Sequence, residues 1–270
     1  MQKLAIIGGT GMKKLFGEQM QDFLGASGFE ISHREHRDIQ SDYGHTSVLD
    51  ISLKKDGCDH QIFFVHRHHS PDGRTIPPHA LNHHATVSAL ASLQPDAIMT
   101  VHSVGTMSNG FPPGIVGFAS DFIDFTGVVT TFHDQDAVHV DMGGHFRKEL
   151  RDAVRPVLQT QARDLDVDLH LAHVVSQSTG PQFETPAQIR AFVMLGSTAV
   201  GMTMIPEAKL IAEKGMKQLA LLASSNWAAG MSPEGKDAPI DHLSVESKAE
   251  KMQEVIGRCV VTLLNAEMDV

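Results

Sequence analysis

Short apolar runs recur along the chain, and each breaks into small or polar residues. Residues 3–7 break into Gly8-Gly9-Thr10-Gly11, residues 61–65 into His66-Arg67-His68-His69, residues 96–101 into His102-Ser103-Val104-Gly105, and residues 219–223 into Ser224-Ser225-Asn226. Runs of this length bounded by turn chemistry predict buried strands. Further strands are predicted at 47–52, 114–118 and 169–175, and antiparallel pieces across the largely polar stretch 18–56. Between them, apolar residues at helical spacing predict helices over 77–93, over 146–165 with Pro156 as a kink, from Pro186 with Thr185 as its cap, over 207–215 and over about 241–264. Strands and helices alternate without a repeat, a low-complexity tract or a compositional break. One α/β domain over residues 1–270 is expected.

The chemistry collects where strands end. Pro206 suits a first helical turn and Gly215 a helix end, which places Thr203 just before a helix N-terminus, a position that favours an anion. Asn226 is expected at the carboxyl end of the following strand, where open α/β sheets place their ligands. The Gly8–Gly11 turn suits a backbone loop around phosphate, though such turns are more often plain turns. Arg67 suits a phosphate clamp, and the histidines beside it suggest a competing metal cluster. Neighbours on a strand face opposite ways, so His68 and His69 cannot readily share one ion, and the anion reading is the better one. Asp121 and Asp124 fit capping and loop hydrogen bonds better than a metal, and His133, His139 and His145 match no recognised zinc spacing.

Composition narrows the partners. The 22 basic and 32 acidic residues give a net charge of −10, which argues against bulk attraction to nucleic acid or an anionic membrane. Cys58 and Cys259 make neither a disulfide framework nor a thiolate zinc site, and no signal peptide or spanning apolar run is read, so a cytoplasmic protein is expected. The 17 histidines keep metal binding open as an alternative.

Taken together the motifs resemble the trimeric purine nucleoside phosphorylase and methylthioadenosine phosphorylase family, and most of all its S-methyl-5′-thioinosine phosphorylase branch. The matching pieces are GGTG at 8–11, RH at 67–68, PPHALN at 77–82, SVG at 103–105, GPQFET at 180–185, GMTMIPEA at 201–208 and SNWAAG at 225–230. They stand in the family's order over almost the whole chain. The resemblance implies a mixed, partly barrel-like sheet flanked by helices, with no cofactor beyond inorganic phosphate as co-substrate. It places Thr10, Arg67, His68, Ser103 and Thr203 around phosphate, Met202 beneath the ribose, and Phe183 against the purine. Glu184 and Asn226 face the base as the catalytic pair, Ile240 and Leu243 lie near the sugar's 5′ end, and His139 is contributed to a neighbour's site. A homotrimer or a hexamer is thereby implied.

The implied reaction is phosphate-dependent cleavage of a purine nucleoside. Asn226 can donate to N7 of the departing base, and Glu184 can accept from N1–H, which prefers a 6-oxopurine over adenine. Ile240 and Leu243 favour a methylthio group at the 5′ position, whereas His242 favours a hydroxyl. S-methyl-5′-thioinosine is the expected substrate. Inosine or guanosine, methylthioadenosine, and a non-catalytic purine- or metal-binding protein are the alternatives. The sequence departs from the family at His69, at His83 where a Tyr is common, at His102 where a smaller or neutral polar residue stands, and in a longer 67–82 segment.

Overall fold

In the computed structural model, residues 1–9, 11–69, 73–164, 168–233 and 244–267 are described. The chain runs through β1 (Lys3–Gly8), α1 (Met12–Lys14), α2 (Met20–Ala26), β2 (Glu30–Ser41), β3 (Gly44–Lys55), β4 (Cys58–His66), α3 (His83–Ser92) and β5 (Ala97–Thr106). It continues through β6 (Val116–Ile123), α4 (Lys148–Thr160), β7 (Ala172–Gln177), α5 (Pro186–Met194), β8 (Ala199–Gly201), α6 (Met204–Glu213), β9 (Gln218–Trp227) and α7 (Ser244–Asn265). The strands form one sheet in the order β2-β3-β4-β1-β5-β8-β7-β6-β9, and a further β5–β9 pairing closes the last five into a mixed barrel. The α/β class and the partly barrel-like sheet expected from the sequence are both present.

Register explains where a ligand can sit. β1 runs parallel to β4 and β5, and β5 runs parallel to β9, so Gly8, His66, Thr106 and Trp227 end their strands on one edge. β8 is antiparallel to β5, with Gly105 opposite Val200 and Thr106 opposite Ala199. Carried on, that register brings the residues after β8 back along β5. Met202 and Thr203 thereby come alongside Ser103 and His102.

Several boundaries differ from the sequence reading. The stretch 18–56 does not begin with a strand: Met12, Leu15, Phe16, Met20 and Leu24 are all buried at helical spacing, and a wide helical segment over Leu15–Gln19 joins α1 to α2. The 77–93 segment opens with a single 3-10 turn, Pro78–Ala80, and α3 starts only at His83, where the Asn82 side chain accepts from the Ala85 N–H at 3.0 Å. β9 extends through Trp227 because β5 continues beside it, pairing Asn226 with Gly105. The three-residue β8, too short to carry a period, was not expected. Gly215 does end α6, at a φ of 67° that glycine adopts freely.

The Thr185 cap is a full capping box. Thr185 Oγ1 accepts from the Gln188 N–H at 3.3 Å and the Thr185 N–H donates to Gln188 Oε1 at 2.8 Å. Thr185→Ala is expected to cost about 1 kcal/mol, read as a lower urea midpoint at unchanged slope. A midpoint unmoved would show that α5 is held by its packing alone.

Candidate active site

Glu207 is the hub of the site, and the sequence reading gave it no role. It is fully buried in the first turn of α6 and takes Arg67 in a two-pronged pair, Nε to Oε1 at 2.5 Å and Nη2 to Oε2 at 2.9 Å. Arg67 Nη1 also donates to the Val101 carbonyl at 3.0 Å. Of five guanidinium donors, three are therefore spent within the protein. His83 Nδ1 lies 3.3 Å from Glu207 Oε1, and His102 Nε2 lies 3.7 Å from Oε2. Burial opposes ionisation of Glu207, but the Arg67 charge and its hydrogen bonds outweigh it and hold the carboxyl far below its usual range.

Of the residues expected around phosphate, His68 lies near this pair and Thr203 reaches it through His102. Gly9 lies against Arg67 and His68: a Cβ there would stand 3.6 Å from Arg67 Nη1 and 3.9 Å from His68 Cδ2. Gly8 allows the loop's close turn, since a Cβ would meet Met12 at 2.6 Å. His68 Nδ1 pairs with the Ile76 carbonyl at 2.7 Å, which fixes the ring and makes Nδ1 its donor. Burial lowers the His68 pKa, against the pull of that bond, and Arg67 lowers it further. Thr203 precedes α6 but does not cap it; its hydroxyl turns instead to His102 Nδ1 at 2.9 Å. Thr203 thus leaves the start of α6 without a cap of its own, and Gln177 Oε1 takes the Ile205 N–H, the second of the helix, at 3.4 Å. Ser103, on β5 next to His102, is exposed. Thr10 lies outside the described residues.

The residues expected on the base side lie on two segments that touch at Pro186 and Gly230. Glu184 is 9% exposed and Phe183 55%, on the loop leading to the α5 cap. That loop stands on Met202, whose Sδ would lie 2.5 Å from a Cβ at Gly180. It also meets the segment after Asn226, because Pro186 would stand 3.3 Å from a Cβ at Gly230. Asn226 is half-buried at the end of β9, its amide donating to the Trp227 carbonyl at 2.9 Å and accepting from Ser225 Oγ at 2.8 Å. Met202 also lines a cavity of about 240 Å³, together with Pro206, Gln177, His79, His83 and His84 among others. Its opposite wall is the 124–130 loop, tied down by Asp124 to Lys209 at 2.5 Å and to the Thr126 N–H and hydroxyl at 2.9 and 2.7 Å. Asp121 accepts from the Phe122 N–H at 2.8 Å, but within β6, at its irregularity opposite β7, rather than in a loop as expected.

His139 is exposed, between Val138 and Val140 on a long loop. Ile240 and Leu243 lie outside the described residues, as does His242. The residues missed by sequence reasoning are Glu207 and Gln177, together with the contact between His102 and Thr203. Glu207 left one signal: an acid inside the apolar run Met204, Ile205, Ala208, Leu210, Ile211, all buried.

The chain is similar to known proteins along its length. It is 35% identical over 240 residues to a probable S-methyl-5′-thioinosine phosphorylase of Methanopyrus kandleri, covering 88% of this chain and 90% of the relative. It is 31% identical to the 6-oxopurine nucleoside phosphorylase of Pyrococcus furiosus, covering 98% and 92%. In fold it is similar to the methylthioadenosine phosphorylase of Schistosoma mansoni in complex with adenine, with a TM-score of 0.78 at 20% identity, covering 98% and 91%. Residues 3–265 match the family described as the Phosphorylase superfamily, and the chain belongs to that superfamily.

Proposed function

We propose that the protein cleaves the N-glycosidic bond of a 6-oxopurine nucleoside with inorganic phosphate, and that its substrate is S-methyl-5′-thioinosine, giving hypoxanthine and 5-methylthioribose 1-phosphate. One observation carries the reading: the anion corner built on Arg67 and Glu207 at the start of α6 adjoins Met202, which supports at Gly180 the loop that leads to Phe183 and Glu184. Phosphate takes the start of α6, where Gln177 already holds the Ile205 N–H, with the remaining donors of Arg67, the His68 ring and the hydroxyls of Ser103 and Thr203, and Thr10 completes the loop. The sugar lies over Met202. Phe183 covers the purine, Glu184 accepts from N1–H, and Asn226 exchanges the Trp227 carbonyl for N7.

The chemistry follows the charges. A phosphate oxygen forms the new bond to C1′ as the C1′–N9 bond breaks, and the electron pair leaves on the purine, which then takes up a proton. Positive charge on the sugar is met by phosphate, as carboxylates meet it in glycoside cleavage. Negative charge on the base is met by the Asn226 amide. Neither step calls for a metal or a side-chain nucleophile.

The names of the relatives support a 6-oxopurine base and a methylthio group. His79, His83 and His84 in the cavity wall support a second reading, a 5′-hydroxyl and hence inosine or guanosine. Base release from methylthioinosine, methylthioadenosine, inosine and guanosine, each with and without phosphate, decides. Phosphate-dependent hypoxanthine release from methylthioinosine above the others is expected, and phosphate-independent or absent turnover of all four would overturn the reading. Asn226→Asp is expected to move preference toward 6-amino purines by one to two orders of magnitude, roughly the worth of re-pairing one buried polar group. An unchanged ratio of inosine to adenosine turnover would remove Asn226 as base reader.

The working form proposed is a homotrimer in which the loop bearing His139 reaches a neighbour's site. Phe125 and Val129 on that side and Met194 at the end of α5 are 75%, 82% and 87% exposed, apolar area that a second copy would cover. Sedimentation equilibrium showing a monomer at assay concentration would exclude it. Among the described residues no helix is long and apolar enough to cross a membrane.

A further inference from the structure

His102 stands on β5 with its ring buried, 1% exposed, and among the described residues only one of its two nitrogens has a hydrogen-bond partner. Nδ1 meets Thr203 Oγ1 at 2.9 Å; Nε2 meets no acceptor within bonding distance and faces Glu207 Oε2 at 3.7 Å. The charged and titratable groups around it are Arg67 from the end of β4, Glu207 from α6, His83 from α3 and His68 from the loop after β4. Burial first, and Arg67 second, keep the ring neutral, with Glu207 pulling the other way. A neutral imidazole has a single N–H, and its position decides what Thr203 can do.

With the proton on Nδ1, the bare Nε2 lone pair would face a buried carboxylate, acceptor against acceptor. With the proton on Nε2, the N–H dipole points at that carboxylate, which is attractive even beyond hydrogen-bond length. Nδ1 is then an acceptor, and the Thr203 hydroxyl must be its donor. Thr203 has spent its only proton on His102 and presents lone pairs to whatever occupies the start of α6.

We infer that His102 is a positioning residue that makes Thr203 an acceptor, so that the site requires a proton-bearing oxyanion and selects hydrogen phosphate over sulfate. This rests on the phosphate site proposed above. At neutral pH the phosphate dianion keeps one P–OH, which donates to Thr203; sulfate has none and would set oxygen lone pairs against oxygen lone pairs. Leaving such a buried acceptor without its donor corresponds to about 10- to 100-fold in binding. Arsenate, which also carries a proton at neutral pH, passes the same test.

The experiment uses the intact protein and two readouts, phosphate KM with sulfate Ki from turnover, and phosphate and sulfate binding followed by the fluorescence of Trp227, the one tryptophan, next to Asn226. The wild type should bind phosphate at least 10-fold more tightly than sulfate at pH 7.5. His102→Asn frees the Thr203 hydroxyl to donate and should narrow that ratio at least 10-fold, chiefly by tightening sulfate. Thr203→Val should narrow it as well, and adding His102→Asn to Thr203→Val should move it no further. A variant that merely loosened the site would weaken both anions together. A wild-type ratio near one, a ratio unmoved by His102→Asn, or additive effects of the two substitutions would overturn the inference. Absence of phosphate-dependent turnover alongside an intact phosphate-over-sulfate ratio by fluorescence would instead count against the proposed reaction while leaving the role of His102 standing.

Discussion

Glu207→Ala is expected to destabilise the protein by about 3–5 kcal/mol, because it leaves the Arg67 guanidinium buried without its counter-charge. Arg67 and Glu207 side chains are 3% and 0% exposed, so water cannot take the place of the lost carboxylate. At the sensitivity usual for chains approaching this size, thermal midpoints would fall by roughly 6–20 °C. The loss extends beyond one pair, since His83 and His102 also face the carboxylate at 3.3 and 3.7 Å. Phosphate KM should rise more than nucleoside KM, because the residues freed to move belong to the anion corner. The double substitution Arg67→Ala with Glu207→Ala removes both charges and should be more stable than Glu207→Ala alone. Thermal melts of the wild type, both single variants and the double variant measure this coupling. Additive losses would show that the pair is not a unit, and the account of Glu207 as the hub of the site would fail with it.

That same pair marks where sequence reading reached its limit. The strand ends near Gly8 and His66 were legible because those buried strands are short apolar runs ending in polar residues, whereas β5 and β9 run on through the breaks expected at His102 and Ser224, to Thr106 and Trp227, because each pairs with the other there. Their convergence on one edge follows from parallel pairing of β1, β4, β5 and β9, which local pattern does not encode but the ordered motifs implied. The capping box at Thr185 was legible because a cap is local chemistry. The helical stretch from Met12 to Ala26 was passed over because its apolar positions are interrupted by Lys, Gly, Glu and Gln at short spacing, and only their burial resolves the period. The Arg67–Glu207 pair joins residues 140 positions apart, and the His102–Thr203 contact residues 101 apart, both set by how β8 and α6 return along β5. His102 was visible as a departure from the family, yet its consequence depends on which neighbour each ring nitrogen meets. The resemblance placed Arg67 on phosphate; it did not reveal that two of its donors are already held by a carboxylate and a third by a backbone carbonyl.

Stability is expected to fall as pH drops from about 6.5 to about 4, a window set by buried histidines rather than by carboxylates. His173 on β7 is 1% exposed and stacks on Phe111 with ring centroids 3.8 Å apart; its Nδ1 meets Thr198 Oγ1 at 3.1 Å and its Nε2 has no partner. Burial pushes its pKa from 6.5 down to about 4, opposed by the nearby backbone of His170, whose own ring charge would lower it further. His66 is pushed to about 4 as well, by burial and then by His69, His68, Lys13 and Arg67. Between the two pKa values the unfolded chain binds a proton that the folded chain does not, so acid favours unfolding. For His173 the full loss is on the order of 3 kcal/mol, reached near pH 4. Glu207 acts elsewhere: its folded pKa is depressed, so its contribution is present above the ordinary carboxylate range and fades only below it. Urea midpoints from pH 7.5 to 4.5 should therefore decline already between pH 6.5 and 5, before carboxylates protonate. His173→Gln, which keeps a group able to pair with Thr198 but cannot titrate, should flatten that decline while lowering stability at pH 7.5 only modestly. A variant whose midpoint tracks the wild type in parallel across the window would show that His173 is not a source of the acid lability.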